Sequence, residues 1–337
     1  MAAEHLVWRE LTAEEKHILE VGHDDSNRNM KDQICFEKQR MIIPRTYLKF
    51  MDDMYNFPVK KDDIWIVTYP KCGTTWMQET VSMLINNVDQ EYGKLPQIFR
   101  SPFLDIDTLM DGNEKGEGLQ VPEDTPDFMK KMMEEFSKGV IPFARKMSGR
   151  RVLKSHMSFD FLPPNLEDKC KVVYVARQPK DCIVSFYHHS INMPLHGYQQ
   201  SLSTFAEEMM KGVVLFGDYW KHLESGWKLR NHPNVKFIWF EDMKKDSKKV
   251  IEELSVFLEH PLSEEKVDQL VHHVSFDVMK LNKTANPSAM MKLPEEKNFM
   301  RKGQVGDWKN YFSGPELEKI DNWIEENKKR TGIQLPE

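Results

Sequence analysis

The sequence predicts an α/β fold, in which a single domain has a central parallel β-sheet flanked by helices. Three observations support this prediction. Short apolar runs of strand length are each followed by a stretch of helical character. The chain has 337 residues, of which 40% are hydrophobic, and this suffices for one large core. No repeat of fixed period is visible, which excludes solenoids and propellers.

The first predicted strand is followed by a loop and then by a helix. The run Ile64–Tyr69 is apolar and rich in β-branched and aromatic residues, which predicts a strand. Apolar residues then recur every three or four positions over 76–87, which predicts a helix. The loop 70–75 between them has the length needed to surround an anion. This strand–loop–helix unit is the first candidate for ligand binding.

The same pattern recurs along the chain. Strands that alternate with helices favour a parallel sheet, and ligands of such sheets bind at the carboxyl ends of the strands. The residues directly after each strand are therefore the place to look for chemistry. The further predicted elements are strands over 171–176 and 235–240, helices over 181–189 and 248–258, and a shorter strand over 151–154.

The domain is predicted to span 1–337, without a linker that divides it. Two polar segments, 111–127 and 282–298, are predicted to be mobile loops, but neither is long or repetitive enough to separate two domains. The predicted parts are an irregular leader over 1–60 with a short helix near 14–20, a core over 61–312, and a C-terminal helix over 313–337.

Charge and cysteine content exclude several classes of protein. The net charge is -6, from 47 Lys and Arg against 53 Asp and Glu, so nucleic-acid binding is not expected and any anion site must be a local basic pocket. Four scattered cysteines predict neither a disulfide framework nor a zinc site. No signal-peptide core and no run of 18 apolar residues is present. The sequence therefore predicts a cytoplasmic protein without a membrane or metal partner.

The loop 70–75 has the composition of a phosphate cradle. Gly73 allows the backbone to approach an anion, and the free N–H groups of the next helix point at it. The hydroxyls of Thr74 and Thr75 can donate hydrogen bonds, and Lys71 supplies a charge. Lys71 precedes Gly73, whereas a Walker A loop has its lysine directly after the second glycine, which argues against a P-loop kinase. A plain turn capped by Thr74 or Thr75 is the alternative.

The residues around this loop resemble a known family. Tyr69–Trp76, which reads YPKCGTTW, is similar to the 5'-phosphosulfate loop of cytosolic sulfotransferases, usually TYPKSGTTW. Three further segments resemble motifs of that family in the right order, so that the resemblance extends over about 57–312. They are Lys154–His156 for the catalytic Lys-x-His segment, Arg177–Ser185 for the 3'-phosphate motif, and Phe299–Gly303 with Gly306–Trp308 for the C-terminal RKG motif.

The resemblance implies 3'-phosphoadenosine 5'-phosphosulfate (PAPS) as donor and adenosine 3',5'-bisphosphate as product. This donor is anionic at two separate points, so its site needs two groups of cations with an aromatic slot for adenine between them. The implied contacts on the 5' side are Lys71, Cys72, Gly73, Thr74 and Thr75. Those to the 3'-phosphate are Arg177, Ser185, Arg301, Lys302 and Gly303. Those near the adenosine are Trp76, Phe240, Val274 and Phe276.

The resemblance also implies in-line displacement at sulfur, in which a hydroxyl attacks while the phosphate oxygen leaves. His156 is the candidate general base because the ordinary pKa of an imidazole lies near neutrality. Lys154 lies two positions earlier and so on the same face, if the strand continues. Lys71 and Lys154 are expected to stabilise the developing charge, while Ser185 holds Lys71 away from early hydrolysis of the donor. No metal is implied.

Several positions depart from the family pattern. Cys72 replaces a serine, and its thiol is expected to have a lowered pKa beside a lysine and a helix N-terminus, so that alkylation blocks donor binding. An inert buried thiol is the alternative. Phe240 and Val274 stand where the family often has Tyr and Thr, which removes two hydroxyls. The dimer motif of the family is matched only by Lys309 and Glu318, which leaves a homodimer open.

The acceptor is predicted by class alone, as a small lipophilic alcohol or phenol. Loops at 103–111, 143–147 and 191–198 are expected to line its pocket. The residues expected to contact it are Phe103, Phe143, Phe159 and Met193, with ordinary core packing as the alternative for each.

Other functions stay open. Residues Arg9–Glu15 are similar to the N-terminal region of retinol dehydratase, an insect relative that uses PAPS to activate an allylic alcohol for elimination. A PAPS-binding protein without activity should lack the base or a lysine, yet Lys71, Lys154 and His156 are all present. The adjacent pairs His188–His189 and His272–His273 are interpreted as non-ligands because neighbouring side chains diverge on a helix or strand.

Overall fold

Helices and strands alternate along the chain as the sequence predicts. The computed structural model describes residues 5–25, 28–109, 126–290 and 293–336, so the predicted loop 111–127 lies almost wholly outside the described residues. The strands are β1 Trp8–Glu10, β2 Gln33–Phe36, β3 Met41–Pro44, β4 Ile64–Thr68, β5 Val152–Ser155, β6 Lys171–Ala176 and β7 Val235–Trp239. The helices of the first half are α1 Ala13–Gly22, α2 Met51–Tyr55, α3 Thr74–Leu84, α4 Gln90–Gly93, α5 Gln97–Arg100, α6 Ile106–Leu109, α7 Asp127–Ser137, α8 Val140–Lys146 and α9 Leu166–Lys169. Those of the second half are α10 Pro179–Asn192, α11 Leu202–Lys211, α12 Tyr219–Lys228, α13 Phe240–Lys245, α14 Ser247–Phe257, α15 Glu264–His273, α16 Phe276–Leu281, α17 Pro287–Met290 and α18 Gly314–Thr331.

The four strands β4 to β7 form a parallel sheet in the order β5–β4–β6–β7. The chain leaves β4 on one side to form β5 and later returns to its other side to form β6. The carboxyl end of β4 is therefore the point at which the strand order reverses, where a sheet of this kind opens a crevice for a ligand. The predicted fold class is confirmed, and the loop 70–75 begins at this crevice.

Helices cover both faces of this sheet because its strands alternate their side chains. Trp65 and Val67 of β4 pack into one core, while Ile64 and Ile66 pack into the other. Strands buried on both faces read as continuous apolar runs, as this one does. The first core includes side chains of α10, α12 and α18, and the second includes side chains of α3, α14 and α15.

The first 60 residues are more regular than predicted. The helix near 14–20 is confirmed as α1, but β1, β2 and β3 also form an antiparallel sheet. Ile34, Phe36 and Ile43 from this sheet are buried in the same core as β4. The prediction of an irregular leader was wrong because each of these strands has only three or four residues. The two apolar runs flanking the polar turn 37–40 were the signal of a hairpin.

The polar segment 282–298 also contains short helices, α17 and the 3₁₀-helix Glu295–Lys297, where a mobile loop was predicted. The predicted C-terminal helix is confirmed as α18. Within the described ranges, no helix is both long enough and apolar enough to span a bilayer.

A buried ion pair joins the starts of the two strands that border the crevice. Arg151, directly before β5, donates two hydrogen bonds to the Asp63 carboxylate before β4, at 2.6 and 2.8 Å, and both side chains are fully buried. Its remaining donors reach the carbonyls of Ala144 and Pro58. Because each charged group is satisfied, the pair fixes the register of β4 and β5 without leaving a bare charge in the core.

We expect Asp63→Ala to lower the free energy of unfolding by about 3–5 kcal/mol, because it leaves the Arg151 guanidinium buried without its counter-charge. Urea denaturation followed by circular dichroism measures this change. Glu91→Ala, which removes the solvent-exposed partner of Lys94, is the matched control and should change stability little. Equal effects of the two substitutions would contradict this role of the buried pair.

Candidate active site

The loop after β4 is shaped by backbone that bends in the left-handed region. Lys71 has φ 66° and Gly73 has φ 101°. A Cβ atom on Gly73 would lie 2.8 Å from the ring of Phe240, so glycine is required both for the conformation and for this close approach. Helix α3 begins at Thr74, two residues before the predicted start, and its free N–H groups therefore face the same space as Lys71.

The ring of His156 is oriented from behind by the end of β4. Its Nδ1 lies 2.8 Å from the carbonyl oxygen of Thr68, which can only accept, so Nδ1 carries the proton and Nε2 keeps its lone pair. The rings of Phe103 and Phe216 flank the imidazole, with centroids 5.0 and 5.4 Å away. The Thr68 hydroxyl also contacts that of Thr74 at 2.6 Å, which ties the histidine to the start of α3.

Asp105 holds the segment that carries His156. Its carboxylate accepts a hydrogen bond from the His156 backbone N–H at 2.5 Å and another from the Ser155 hydroxyl at 2.7 Å. Burial raises the pKa of this carboxyl to about 6, although those hydrogen bonds oppose the rise. No local pattern identifies Asp105, because it lies about 50 positions from Ser155 and His156.

Arg177 joins three segments at the carboxyl edge of the sheet. Its guanidinium donates to the carbonyls of Lys71 at 3.2 Å and Gln304 at 3.0 Å, and it stacks 4.4 Å above the Phe240 ring. Its Nε is buried and has no hydrogen-bond partner among the described residues. A buried donor of this kind is stabilised by an acceptor that arrives with a ligand.

The C-terminal motif is anchored to α10 through backbone groups. The carboxylate of Asp181 accepts from the N–H groups of Gly306 at 2.6 Å and Trp308 at 3.0 Å. Asp307 in turn pairs with Arg301 at 2.5 Å and with Lys302 at 2.7 Å. The motifs at 177–185 and 299–308, far apart in sequence, are thereby brought to one place.

These segments surround one cavity of about 640 Å³ that is strongly basic. Its described walls contain no Asp or Glu side chain. In a protein of net charge -6, a wall of cations without carboxylates indicates a site for a polyanion. The cations that line the cavity are Lys71, Lys154, Arg177, Lys244, Lys283, Arg301 and Lys302.

The two lysines nearest the candidate base repel one another in this setting. Burial, with repulsion from Lys154 and Arg177, lowers the pKa of Lys71 to about 7. Burial also lowers the pKa of Lys154 to about 8, against a weaker attraction to Asp105. An anion bound between the two lysines would favour their charged forms and restore both pKa values. The cavity therefore favours a bound anion, because none of its described wall residues carries a negative charge.

Aromatic rings line the part of the cavity beyond Arg177. The rings of Trp76 and Phe240 meet edge to face, 5.7 Å apart, and the buried Trp76 indole N–H has no partner among the described residues. Gly303, at φ 59°, packs against Phe276 so closely that a Cβ would lie 2.3 Å from that ring. Val274 and Phe276 also line this part. Aromatic faces of this kind can stack on a flat heterocycle, and an indole N–H can donate to a ring nitrogen.

The structure brings most of the predicted site residues together around this cavity. All of the predicted donor contacts except Cys72 line it, and so do Lys154, His156, Phe103 and Met193. Among the described residues no group of three His, Cys, Asp or Glu is arranged to hold a metal ion.

Two of the predicted acceptor contacts need correction. Phe143 packs against Phe99 and Phe136, and Phe159 stacks on Tyr174, so neither is among the described residues that line the cavity. Both are core residues, which was the alternative for each. Of the predicted pocket loops, 143–147 contributes no described wall residue, whereas 103–109 and 192–196 do. Residues 110 and 111 lie outside the described residues.

The predicted activation of Cys72 is wrong. Its thiol is fully buried, 3.9 Å from the Cys182 sulfur, and it faces away from the cavity. Burial raises its pKa well above the ordinary value, and this outweighs the lowering by Arg177. The alternative of an inert buried thiol is the one that the structure supports.

His189 is a wall residue to which the sequence assigned no role. It lies on α10 four positions after Ser185, so both project to the cavity from one face of the helix. The pair His188–His189 was predicted only not to bind a metal, and that prediction did not extend to contact with a cavity. His273 instead pairs with the buried Glu79 at 2.8 Å, away from the reaction centre.

Comparison with known proteins identifies the family to which this chain belongs. Residues 61–332 match the sulfotransferase domain, which is most of the chain. Sulfotransferase 1E1 of Homo sapiens is 34% identical over 309 residues, covering 89% of this chain and 95% of that protein. Luciferin sulfotransferase of Photinus pyralis is 30% identical and covers 89% of this chain and 82% of the relative. The chain belongs to the sulfotransferase family, as its motifs predicted.

Solved structures extend the similarity to the N-terminal segment. Retinol dehydratase in complex with androsterone and the inactive cofactor PAP superposes with a TM-score of 0.87 at 28% identity, covering 98% of both chains. A mouse sulfotransferase, SULT7A1, complexed with PAP superposes with a TM-score of 0.60 at 27% identity, covering 83% of this chain and 89% of the other.

We expect iodoacetamide to leave Cys72 unmodified in the folded protein, because its thiol is buried and has a raised pKa. Peptide mass spectrometry after timed labelling measures this, with the urea-unfolded protein as the control that labels fully. Labelling of Cys72 at the rate of an exposed thiol would restore the original prediction of an activated cysteine.

Proposed function

We propose that this protein transfers the sulfuryl group of PAPS to the hydroxyl of a small lipophilic acceptor. The observation that supports this most is the cavity in which seven cations, with no carboxylate among the described wall residues, adjoin His156 and apolar side chains. Relatives with sulfotransferase names and neighbours solved with PAP add to it. Retinol dehydratase has been solved in complex with androsterone and with retinol, which is compatible with a lipophilic pocket here.

In this proposal the two ends of the donor contact different cations. The N–H groups at the start of α3, with Lys71, Thr74 and Thr75, bind the 5'-phosphosulfate. Arg177, Ser185, Arg301, Lys302 and Gly303 bind the 3'-phosphate. The unpartnered Nε of Arg177 and indole N–H of Trp76 are the buried donors that such a ligand would satisfy.

His156 removes the acceptor proton. Burial, with repulsion from Lys154 second, lowers its pKa well below the ordinary value, so the imidazole is neutral at physiological pH and its Nε2 can accept a proton. As the acceptor oxygen bonds to sulfur, the sulfur–oxygen bond to the 5'-phosphate breaks. Lys71 and Lys154 stabilise the charge that moves onto the bridging oxygen. Anions bound beside these lysines raise the low pKa of His156 toward the range of an effective base.

Ser185 remains the proposed partner of Lys71, and the protein is proposed to act without a metal. A cytoplasmic location also belongs to this proposal, and the four free cysteines are compatible with a reducing compartment. The partial dimer motif adds no support for a homodimer, which stays a prediction of the sequence.

A second candidate function is PAPS-dependent elimination of water from an allylic alcohol. It is favoured by the superposition on retinol dehydratase, which covers 98% of this chain and so includes the N-terminal segment, whereas the sulfotransferase domain match begins at residue 61. Both functions share the donor site and the transfer step. They differ in whether the sulfate ester is released or loses sulfate.

Incubation with ³⁵S-labelled PAPS and a panel of phenols, steroids and retinol tests the proposal. We expect a labelled sulfate ester, and we expect His156→Ala to lower kcat by about 100-fold or more because it removes the general base. The affinity for adenosine 3',5'-bisphosphate should be retained in this variant and serves as the folding control. Consumption of PAPS with an unlabelled, dehydrated product would instead support elimination, and absence of both turnover and donor binding would overturn the proposal.

We expect donor binding to weaken as pH rises above 7. Below pH 7 Lys71 is already charged, whereas above it the anion must draw a proton onto Lys71, and above pH 8 also onto Lys154. The dissociation constant of adenosine 3',5'-bisphosphate should therefore rise at least about tenfold between pH 6.5 and 9. Isothermal titration calorimetry measures it. Lys71→Arg, which stays charged throughout, is the control and should show a shallower dependence. The same flat profile for both proteins would contradict the lowered pKa.

A further inference from the structure

Helix α10 presents a polar face to the cavity. His188 and His189 lie one turn after Ser185, Asn192 lies one turn after them, and all four line the cavity. Only the first of them belongs to the donor motif. The remaining three extend away from it along the helix, so polar groups continue past the reaction centre into the part left for the acceptor.

Several other side chains that line the cavity are apolar. They include Phe103, Ile106, Leu195, Leu215 and Phe216. A polar side chain in such surroundings costs free energy unless it finds a hydrogen-bond partner. The polar face of α10 therefore needs an explanation that an entirely lipophilic acceptor does not provide.

The partners of these polar side chains differ. The Nε2 atom of His188 lies 3.2 Å from the Tyr311 hydroxyl. In contrast, no described residue hydrogen-bonds to a ring nitrogen of His189 or His196, or to the side-chain amide of Asn192, and the Nδ1 atom of His189 is buried without a partner. The His189 and His196 rings lie 4.8 Å apart, and His196 is 5% exposed. Three neighbouring polar side chains thus face the cavity with hydrogen-bonding capacity that the described protein does not use.

His189 lies near the reaction centre, with the Phe299 ring in contact with both it and Lys71. The ammonium group of Lys71 lies 3.6 Å from the centroid of the Phe299 ring. The centroid of the His189 ring lies 5.4 Å from the same Phe299 centroid. One aromatic side chain therefore separates His189 from the lysine that contacts the transferred group. His156 and His189 line the same cavity, so one molecule bound there can contact both.

The charge of this group limits what it can bind. Burial, with repulsion from Lys71, lowers the pKa of His189 well below the ordinary value and that of His196 to about 3. Both rings are neutral at physiological pH, and each offers one N–H donor and one nitrogen acceptor. Asn192 has the same dual capacity. Together these three side chains can hydrogen-bond to an uncharged hydroxyl or carbonyl oxygen.

We propose that His189, with His196 and Asn192, forms a second polar subsite that binds an uncharged oxygen of the acceptor other than the hydroxyl that reacts. The acceptor class is then a lipophilic molecule with two oxygen functions, and His189 determines specificity. This proposal rests on the proposed function only in assigning the apolar part of the cavity to the acceptor.

The test compares ligands that differ by one oxygen, in protein saturated with adenosine 3',5'-bisphosphate. Dissociation constants of 2-naphthol, 2,6-dihydroxynaphthalene and 2,7-dihydroxynaphthalene are measured by calorimetry. We expect the better diol to bind roughly tenfold more tightly than 2-naphthol, the gain from one hydrogen bond to a polar group left unpaired in the cavity. His189→Phe keeps an aromatic ring of similar size without hydrogen-bonding nitrogens and should abolish this preference.

Met193→Leu is the matched control, because Met193 lines the same cavity from the next turn of chain without a strong polar group. It should change the affinities of both ligands alike and keep their ratio. Equal affinities of the naphthol and both diols for the wild-type protein, or an unchanged preference in His189→Phe, would overturn the second subsite. The calorimetric test measures binding without turnover, so its result does not depend on whether sulfuryl transfer is detected in the labelled assay. If adenosine 3',5'-bisphosphate does not bind, the donor site of the proposed function has failed, and not the second subsite.

Discussion

The placement of three cations, Lys71, Lys154 and Arg177, around one cavity is the constraint on which the site depends. Their side chains line one cavity, and none of its described walls carries a carboxylate. Burial lowers the pKa of Lys154 to about 8, and burial together with repulsion from Lys154 and Arg177 lowers the pKa of Lys71 to about 7. Holding cations so close costs stability, which the folded chain must recover elsewhere. At the other end of the same strands, by contrast, the buried Arg151 is paired with the Asp63 carboxylate, so this structural charge is neutralised within the protein.

The topology explains why these cations meet. Lys71 follows β4, Lys154 lies on β5, and Arg177 follows β6, and these three strands are neighbours in a parallel sheet. Their carboxyl ends share one edge, with the strand order reversing at β4. Asp105 and Asp181 then hold the loops that bear His156 and the C-terminal motif through backbone hydrogen bonds. The sheet therefore brings the three cations together, and the two carboxylates orient the segments that carry His156 and the C-terminal motif.

The sequence predicted the parts of this arrangement that depend on local pattern. The runs at β4, β6 and β7 are long and apolar enough to identify strands, and the loop 70–75 has the composition that an anion requires. The short strands β1 to β3 were missed because three or four residues carry little periodicity. The environment of Cys72 was misjudged because the direction of its side chain depends on packing against Cys182, 110 positions away. Asp105 and His189 acquire their roles only through contacts distant in sequence, which local pattern does not encode.

A comparison of adenosine 3',5'-bisphosphate with adenosine 5'-monophosphate tests the central claim most directly, because the two nucleotides differ only in the phosphate assigned to Arg177, Arg301 and Lys302. Their dissociation constants for the full-length protein are measured by calorimetry at pH 6.5, where both lysines are charged. The account predicts that the bisphosphate binds about 100-fold more tightly, the effect of one or two charge-assisted hydrogen bonds in a partly buried site. Equal affinities would show that the second group of cations does not bind phosphate and would contradict the account.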